Sequence, residues 1–276
     1  MRREDHPQPV SVMFSILGKA IQLWIRHLPL IGPLVLTIWL PGHLFVGWSY
    51  GLGWDESTEL DVRRMTSGID AICSPIYAGA IVYALPRLIR GQRVSYGDAL
   101  GVGFGCWGRL FAARFIAGLL ILVGFVALVV PGIVLSVRFA LIDSAVVLEN
   151  RGVSTARQRS WTLTGGRSWQ ILGAGVIIFL MYSALTMVVS LPLTIVQQLW
   201  SLDPVVNFAA QAVLDCLLDV VYTLHVIVMF LFFWEASGYA EQSAAESPVE
   251  DGGDDDGEPF VVPPSDDLNP YRPPSV

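Results

Sequence analysis

Residues 131–169 read PGIVLSVRFALIDSAVVLENRGVSTARQRSWTLTGGRSW, and how this stretch is interpreted decides the layout of the whole chain. A Pro-Gly pair opens it. An apolar run carrying Arg138 and Asp143 follows, then Glu149-Asn150-Arg151-Gly152, then a segment rich in Arg and Trp that closes on Gly165-Gly166. Ile133–Leu148 is 16 residues long, short of the roughly 20 that a helix needs to cross the hydrocarbon core. Tilt or local thinning lets it cross at modest cost; otherwise it is re-entrant. The basic residues decide between the two. With the N-terminus inside and six alternating spans, 13 of the 16 Lys and Arg in residues 1–234 fall on the inner side, Arg63 and Arg64 fall outside, and Arg138 lies within a span. A layout without this crossing moves Arg151–Arg167 outside, against the positive-inside rule. Six spans follow, near residues 28–50, 68–88, 110–130, 133–148, 169–191 and 206–234.

Composition agrees with a membrane body. The chain is 53% hydrophobic and 15% charged, with a mean hydropathy of +0.56, well on the apolar side of a soluble domain. The net charge of −7 hides a division. Residues 1–234 hold 16 basic against 13 acidic groups, and residues 235–276 hold 1 against 11. The expected organisation is a disordered N-terminus over 1–11, a polytopic domain over 12–236, and an acidic disordered tail over 237–276 that cannot bury enough apolar surface to fold. No signal peptide is expected, because no small-x-small cleavage site follows the first apolar run. Cys73, Cys106 and Cys216 sit apart in apolar or small-residue surroundings and read as buried free thiols, not as a disulfide framework or zinc site.

Short polar-apolar segments precede three of the spans. Phe14, Leu17, Ile21, Trp24 and Ile25 fall at helical spacing, with Lys19, Gln22 and Arg26 between them. Such a helix suits the membrane interface or packing on its own bundle. Ser95-Tyr96-Gly97-Asp98 resembles a capping box for a Gly-rich interfacial helix through Arg109. Asn150 and Gly152 suit a C-cap, and Ser154 or Thr155 suits the start of a short helix ended by Gly165-Gly166. Trp48, Tyr50 and Trp54 form an aromatic belt at the outer end of the first span. Each surface segment leads into an apolar span that is expected to end at Pro: Pro41-Gly42, Pro131-Gly132 and Pro192. Trp107 and Trp169 stand 24 and 23 residues before the second and third of these. The fold expected is therefore an all-α integral membrane protein of about six transmembrane helices plus short interfacial amphipathic helices, with a threefold internal repeat.

The string from Pro131-Gly132 onward resembles the membrane domain attached to some bacterial glycerophosphoryl diester phosphodiesterases, which related stand-alone membrane proteins of unknown function share. The resemblance rests on Pro131-Gly132, Arg138, Glu149, Gly152, Arg159-Ser160, Leu163-Thr164, Gly166 and Trp169. It covers about 40 residues closely, and its six-span layout covers most of 12–236. It implies the architecture without the chemistry. In those fusions the phosphodiesterase activity belongs to a separate soluble barrel, for which this chain has no room.

Two groups of side chains stand out. Asp70, Arg138, Asp143, Asp215 and Asp219 lie within spans, where ionisable groups are costly and face the bundle interior. Asp215 and Asp219 are one turn apart on one helix face. Arg138 and Asp215 fall at similar depths by residue count, which suggests an ion pair. The set reads either as structural pairing or as a proton or ion relay. Arg151, Arg157, Arg159 and Arg167, with Trp161 and Trp169, form a basic-aromatic cluster expected at the inner surface. There each basic group gains about 1 kcal/mol from anionic lipid. The cluster reads as ordinary anchoring or as a specific lipid-phosphate site.

No catalytic or metal-binding constellation is found. The four histidines share no ligand spacing, and Gly101-x-Gly103-x-Gly105 lacks the βα context of a phosphate loop and reads as close helix packing. No cofactor or nucleic acid is expected. The expected role is non-catalytic: membrane-organising, lipid-interacting or accessory. The alternative is a small proton- or ion-coupled transporter using the intramembrane Asp and Arg set, and a lipid-modifying enzyme comes third. Expected partners are membrane lipids, anionic ones among them, and a second copy or another membrane protein. The expected location is the bacterial inner (plasma) membrane with both termini cytoplasmic.

Overall fold

The computed structural model describes residues 9–51, 59–199 and 204–239. The acidic tail from residue 240, residues 1–8 and Trp54 lie outside them, as do the side chains of Trp48 and Tyr50. Among the described residues eight helices follow in order: α1 (Pro9–Gly51), α2 (Glu59–Ile89), α3 (Tyr96–Ala127), α4 (Val129–Phe139), α5 (Ile142–Leu148), α6 (Val153–Leu163), α7 (Ser168–Leu199) and α8 (Pro204–Ala236). Six segments are long and apolar enough to cross a membrane, and α4 and α5 together supply one of them, Val129–Leu148.

The expected surface helices are not separate at the first two positions. The segment around Trp24 continues into the first span as α1, and the Gly-rich segment continues into the third span as α3. Helix α1 already begins at Pro9, inside the stretch expected to be disordered. Its first turns pack on the bundle: Ile16 and Ala20 are fully buried, and Trp24 Nε1 donates to Val220 O and Thr223 Oγ1 of α8. Only the third surface segment, α6, is a helix of its own, set off from α7 by Gly165 and Gly166, the latter at φ +77°.

None of the three prolines ends a span. Pro41 and Pro192 lie inside α1 and α7, as Pro75 lies inside α2. The turn expected at Pro131-Gly132 falls earlier, at extended Leu128 (φ −166°). Pro131 occupies the first turn of α4, where the N–H it lacks has no intrahelical partner to lose. The one-residue turn forces α3 and α4 together. A Cβ on Gly132 would lie 2.4 Å from the Phe125 ring, and one on Gly124 would lie 3.1 Å from the Gly132 backbone.

A second close approach joins α2 to α3. A Cβ on Gly103 would meet Ile76 O at 2.4 Å, and one on Gly79 would meet Cys106 Sγ at 2.6 Å. The tight contact belongs to Gly103 and not to Gly101, which faces open space. Helix α8 lies against α1, α2, α5 and α7, and its Phe230, Phe232 and Phe233 are fully buried in the main core. Large apolar side chains of α7 and of the second half of α3, such as Phe179, Val188, Val123 and Val126, face outward. Outward apolar faces on spanning helices are what a hydrocarbon solvent permits.

Candidate functional site

The opening stretch folds as one hydrogen-bonded unit. The fourth span breaks at Ala140–Leu141, between α4 and α5, and a break leaves backbone groups without helical partners. Ser160 of α6, fully buried, bridges it: its Oγ donates to Arg138 O (2.7 Å) and accepts from Leu141 N–H (3.2 Å). Arg138 does not reach Asp215. It turns to the C-terminal end of α6, donating to Trp161 O (3.2 Å) and Thr164 Oγ1 (3.5 Å), with its guanidinium 5.0 Å from the Trp161 ring centroid. A cation there meets the negative end of the helix dipole and the free carbonyls. The depth count that paired Arg138 with Asp215 assumed one straight helix, and the break and the approach of α6 gave Arg138 nearer partners.

After α5 the chain turns through Asn150 at φ +49°, a left-handed position that Asn tolerates better than most residues. Gly152 is the N-cap of α6, with no side-chain cap, and Thr155 Oγ1 donates back to Gly152 O. Ser95 likewise precedes α3 without a side-chain cap bond, so neither expected hydroxyl cap forms. Glu149, its side chain only 8% exposed, receives Arg151 and Arg159 together. Arg109 donates to Asn150. Arg167 lies 4.0 Å from Glu235, which Lys19 also approaches at 3.4 Å. Burial first, and then the Glu149 carboxylate, push the Tyr239 phenol just beyond α8 above its usual pKa.

The basic-aromatic cluster is therefore partly neutralised from within. Arg151 and Arg159 answer to Glu149 and Arg167 to Glu235, while Arg157 has no ion-pair partner among the described residues. Trp161 is 44% exposed and Trp169 is 84% exposed.

The intramembrane acids separate into two places. Arg114 of α3 reaches Asp143 with both edges of its fork, Nε to Oδ1 at 3.0 Å and Nη2 to Oδ2 at 2.6 Å, and its Nη1 donates to Ser74 Oγ at 3.0 Å. Arg114 was not among the residues expected in the intramembrane polar set. Its position within an apolar helix, at a depth that Asp143 can match, is the signal that could have placed it there. Asp215 instead accepts from Gln211 Nε2 (3.1 Å), and Asp219 meets His43 Nε2 at 3.3 Å.

The Arg114–Asp143 pair lies on the wall of a cavity of about 310 Å³ between α2, α3, α4, α5 and α8. Asp70, Tyr77, Tyr222 and His225 also line it, and Phe139, Ala140 and Ile142 bring the α4/α5 break to its edge. Tyr222 stacks on His225, with ring centroids 5.9 Å apart. Of the five residues expected as an intramembrane set, the cavity gathers Asp70 and Asp143. Among the described residues no group of three or more His, Cys, Asp or Glu is placed to hold a metal ion. Cys73, Cys106 and Cys216 form no disulfide among the described residues, and Cys73 is half-buried where burial was expected.

The fold and this cavity define an all-α, multi-pass membrane protein with ionisable side chains gathered around a half-open space between its helices. The chain belongs to the family described as Domain of unknown function (DUF7847), whose model matches residues 79–241. That match takes in Arg114, Asp143, the α6 unit, Tyr222 and His225, and stops short of Asp70, Ser74 and Tyr77. The chain is also similar to a UPF0259 membrane protein of Photorhabdus laumondii subsp. laumondii, 32% identical over 104 residues, which is 36% of this chain and 41% of the relative. The alignment thus spans less than half of that relative's length. No solved structure matches.

Proposed function

We propose that the chain works without catalysis, as a lipid-interacting membrane protein of organising or accessory type. The observation that carries this reading is the α6 elbow. It lies between two spanning segments and presents Trp161 outward, with Arg157 half-buried beside it and the 84%-exposed Trp169 at the start of α7. Aromatic side chains of this kind favour the headgroup layer, and an unpaired basic group there favours anionic lipid. With two of the arginines held by Glu149, the contact rests on the Trp pair and Arg157, and a built phosphate site is not part of the reading. The protein is placed in the bacterial inner membrane with both termini and the elbow cytoplasmic. Kinship with the membrane domain of glycerophosphoryl diester phosphodiesterases belongs to the same proposal, as shared architecture without their chemistry.

The test compares thermal stability in nanodiscs of phosphatidylglycerol and of phosphatidylcholine. Phosphatidylglycerol is expected to raise the melting temperature of the wild type, and Trp169→Ala with Arg157→Gln to abolish that difference. An equal response of wild type and variant to both lipids defeats the reading. Orientation is checked by Ser154→Cys, on the exposed face of α6. It is expected to react with a membrane-impermeant maleimide only after cells are opened, and ready labelling of intact cells reverses the topology.

The cavity favours a second reading, a small transporter. Non-helical backbone at membrane depth is tolerated where it is buried in protein or lines a cavity, and discontinuous helices of this kind build the binding sites of many transporters. Asp143→Asn is expected to abolish coupled uptake in liposomes under this reading. Uptake indistinguishable from empty liposomes by the wild type removes it.

A further inference from the structure

We infer that the cavity is a binding site for a monovalent ammonium group carrying an apolar moiety. The assignment rests on the cavity alone and holds whether or not the ligand crosses the membrane. The volume comes first: 310 Å³ lies at the small end of ligand cavities, which run from about 300 to 1,000 Å³. The charge comes next. One guanidinium faces two carboxylates across the cavity. Arg114 is committed, with both carboxylate oxygens of Asp143 and the Ser74 hydroxyl already on its fork. An anion entering the space would meet a spent cation and the carboxylate of Asp70. A cation would meet Asp70, which has no hydrogen-bond or ion-pair partner among the described residues.

A second observation points the same way. Tyr77 is 2% exposed and lines the cavity, yet its hydroxyl has no hydrogen-bond partner among the described residues. That oxygen is open to the cavity, where an entering donor can reach it. Asp70, Ser74 and Tyr77 follow at helical spacing along α2 and line the cavity together, so Tyr77 shares its side of the space with polar neighbours. An ammonium has three donors and no acceptor. Asp70 and the Tyr77 oxygen can accept from it, and the Tyr222 ring, which lines the cavity from α8 with one face stacked on His225, leaves its other π face for a cation. Ile121, Phe139 and Met229 supply an apolar wall for the attached group. The amine could be part of a lipid headgroup or of a free amphiphile, since both present the same chemistry.

The experiment uses the full chain in nanodiscs of phosphatidylglycerol alone, with empty discs subtracted, and 2-phenylethylamine as the probe in equilibrium dialysis. Its neutral and acidic counterparts, 2-phenylethanol and 3-phenylpropionate, are measured alongside. The amine is expected to bind saturably and about tenfold or more tighter than either, as loss of a charge-assisted contact implies. Asp70→Asn is expected to weaken it about tenfold while leaving the ligand-free melting temperature unchanged, because Asp70 holds nothing in place. Tyr77→Phe, which keeps the ring and removes only the unpartnered oxygen, is expected to weaken it several-fold. Adding phosphatidylethanolamine to the discs distinguishes the sources: competition identifies a headgroup amine, and no competition identifies a free one. The inference is overturned if no saturable binding occurs, if the alcohol or acid binds as well as the amine, or if both variants bind the amine like the wild type. Binding without liposome uptake would remove the transporter reading and leave this site standing.

Discussion

Replacing Asp143 by Ala removes one member of the Arg114–Asp143 pair and tests the arrangement at the centre of the bundle. The two side chains are 28% and 22% exposed and share two hydrogen bonds. Removing one partner of such a buried pair costs about 3–5 kcal/mol, because the other charge is left uncompensated. Arg114 keeps its bond to Ser74 and borders a cavity that water can enter, so the lower end, about 3 kcal/mol, is expected. The reciprocal variant should be milder. A guanidinium cannot shed its proton in a protein, whereas a stranded carboxyl neutralises itself by taking one up. Arg114→Met should therefore cost about 1–2 kcal/mol, the price of unmet hydrogen bonds. The double variant Arg114→Met, Asp143→Leu removes both charges at similar volume and should lie within about 1 kcal/mol of wild type. With Asp143→Leu as the single variant that closes this cycle, at a cost like that of Asp143→Ala, the coupling should be about 3 kcal/mol or more, at or above the upper end for residues in contact. Unfolding in dodecyl maltoside micelles with rising SDS, followed by circular dichroism, measures each stability. Additive single-variant costs, or an Arg114→Met penalty larger than that of Asp143→Ala, would refute the reasoning.

The same assay reads three further changes. Ser160→Ala strips the side chain that holds both ends of the α4/α5 break, and should cost about 2–3 kcal/mol because a buried donor and acceptor go unmet; a loss under about 0.5 kcal/mol would mean that the break holds itself. Asn150→Ala leaves a β-carbon in the left-handed region at φ +49° without the polar side chain that helps Asn tolerate it, and removes the side-chain contact to Arg109, costing about 1–2 kcal/mol, whereas Asn150→Gly removes the β-carbon as well and should cost less. Equal losses for the two would remove backbone conformation as the cause. Gly132→Val puts branched carbon where a Cβ already lies 2.4 Å from Phe125, and should cost about 1–3 kcal/mol or more. Phe125→Ala in the same chain should recover part of that, and no recovery would place the strain elsewhere.

Much of this molecule is written in one dimension. Apolar run length and the clustering of Lys and Arg at alternate turns are summed along the chain, and they led to six spans, including the short one through Arg138. The left-handed turn at Asn150 and the stop at Gly165-Gly166 are equally local, since they depend on the conformations that Asn and Gly allow. Helix boundaries were less legible. Prolines at 41, 131 and 192 looked like ends, yet two are carried inside long helices, where neighbouring helices and local adjustments can satisfy the freed carbonyls, and one lies in the first turn of a helix, where its missing N–H has no partner to lose.

Pairings were decided only in three dimensions. Arg114 and Asp143 come together because Gly124 and Gly132 let α3 and α4 close to backbone contact, and the span then breaks to present α5. Arg138 was drawn away from Asp215 by the end of α6, which no residue count along a straight helix places beside it. Arg159 and Ser160 are adjacent in sequence and do opposite work, one tying α6 to Glu149 and the other mending the break. Tyr77 and Asp70 drew no attention as a pair, because an unpartnered hydroxyl is defined by the space in front of it. The sequence by itself determined that the chain is helical, that it is built for a membrane, and which loops are basic, since these follow from composition and period. The tertiary structure decided which buried charges meet and where a cavity remains, since both depend on distances between helices that only packing sets.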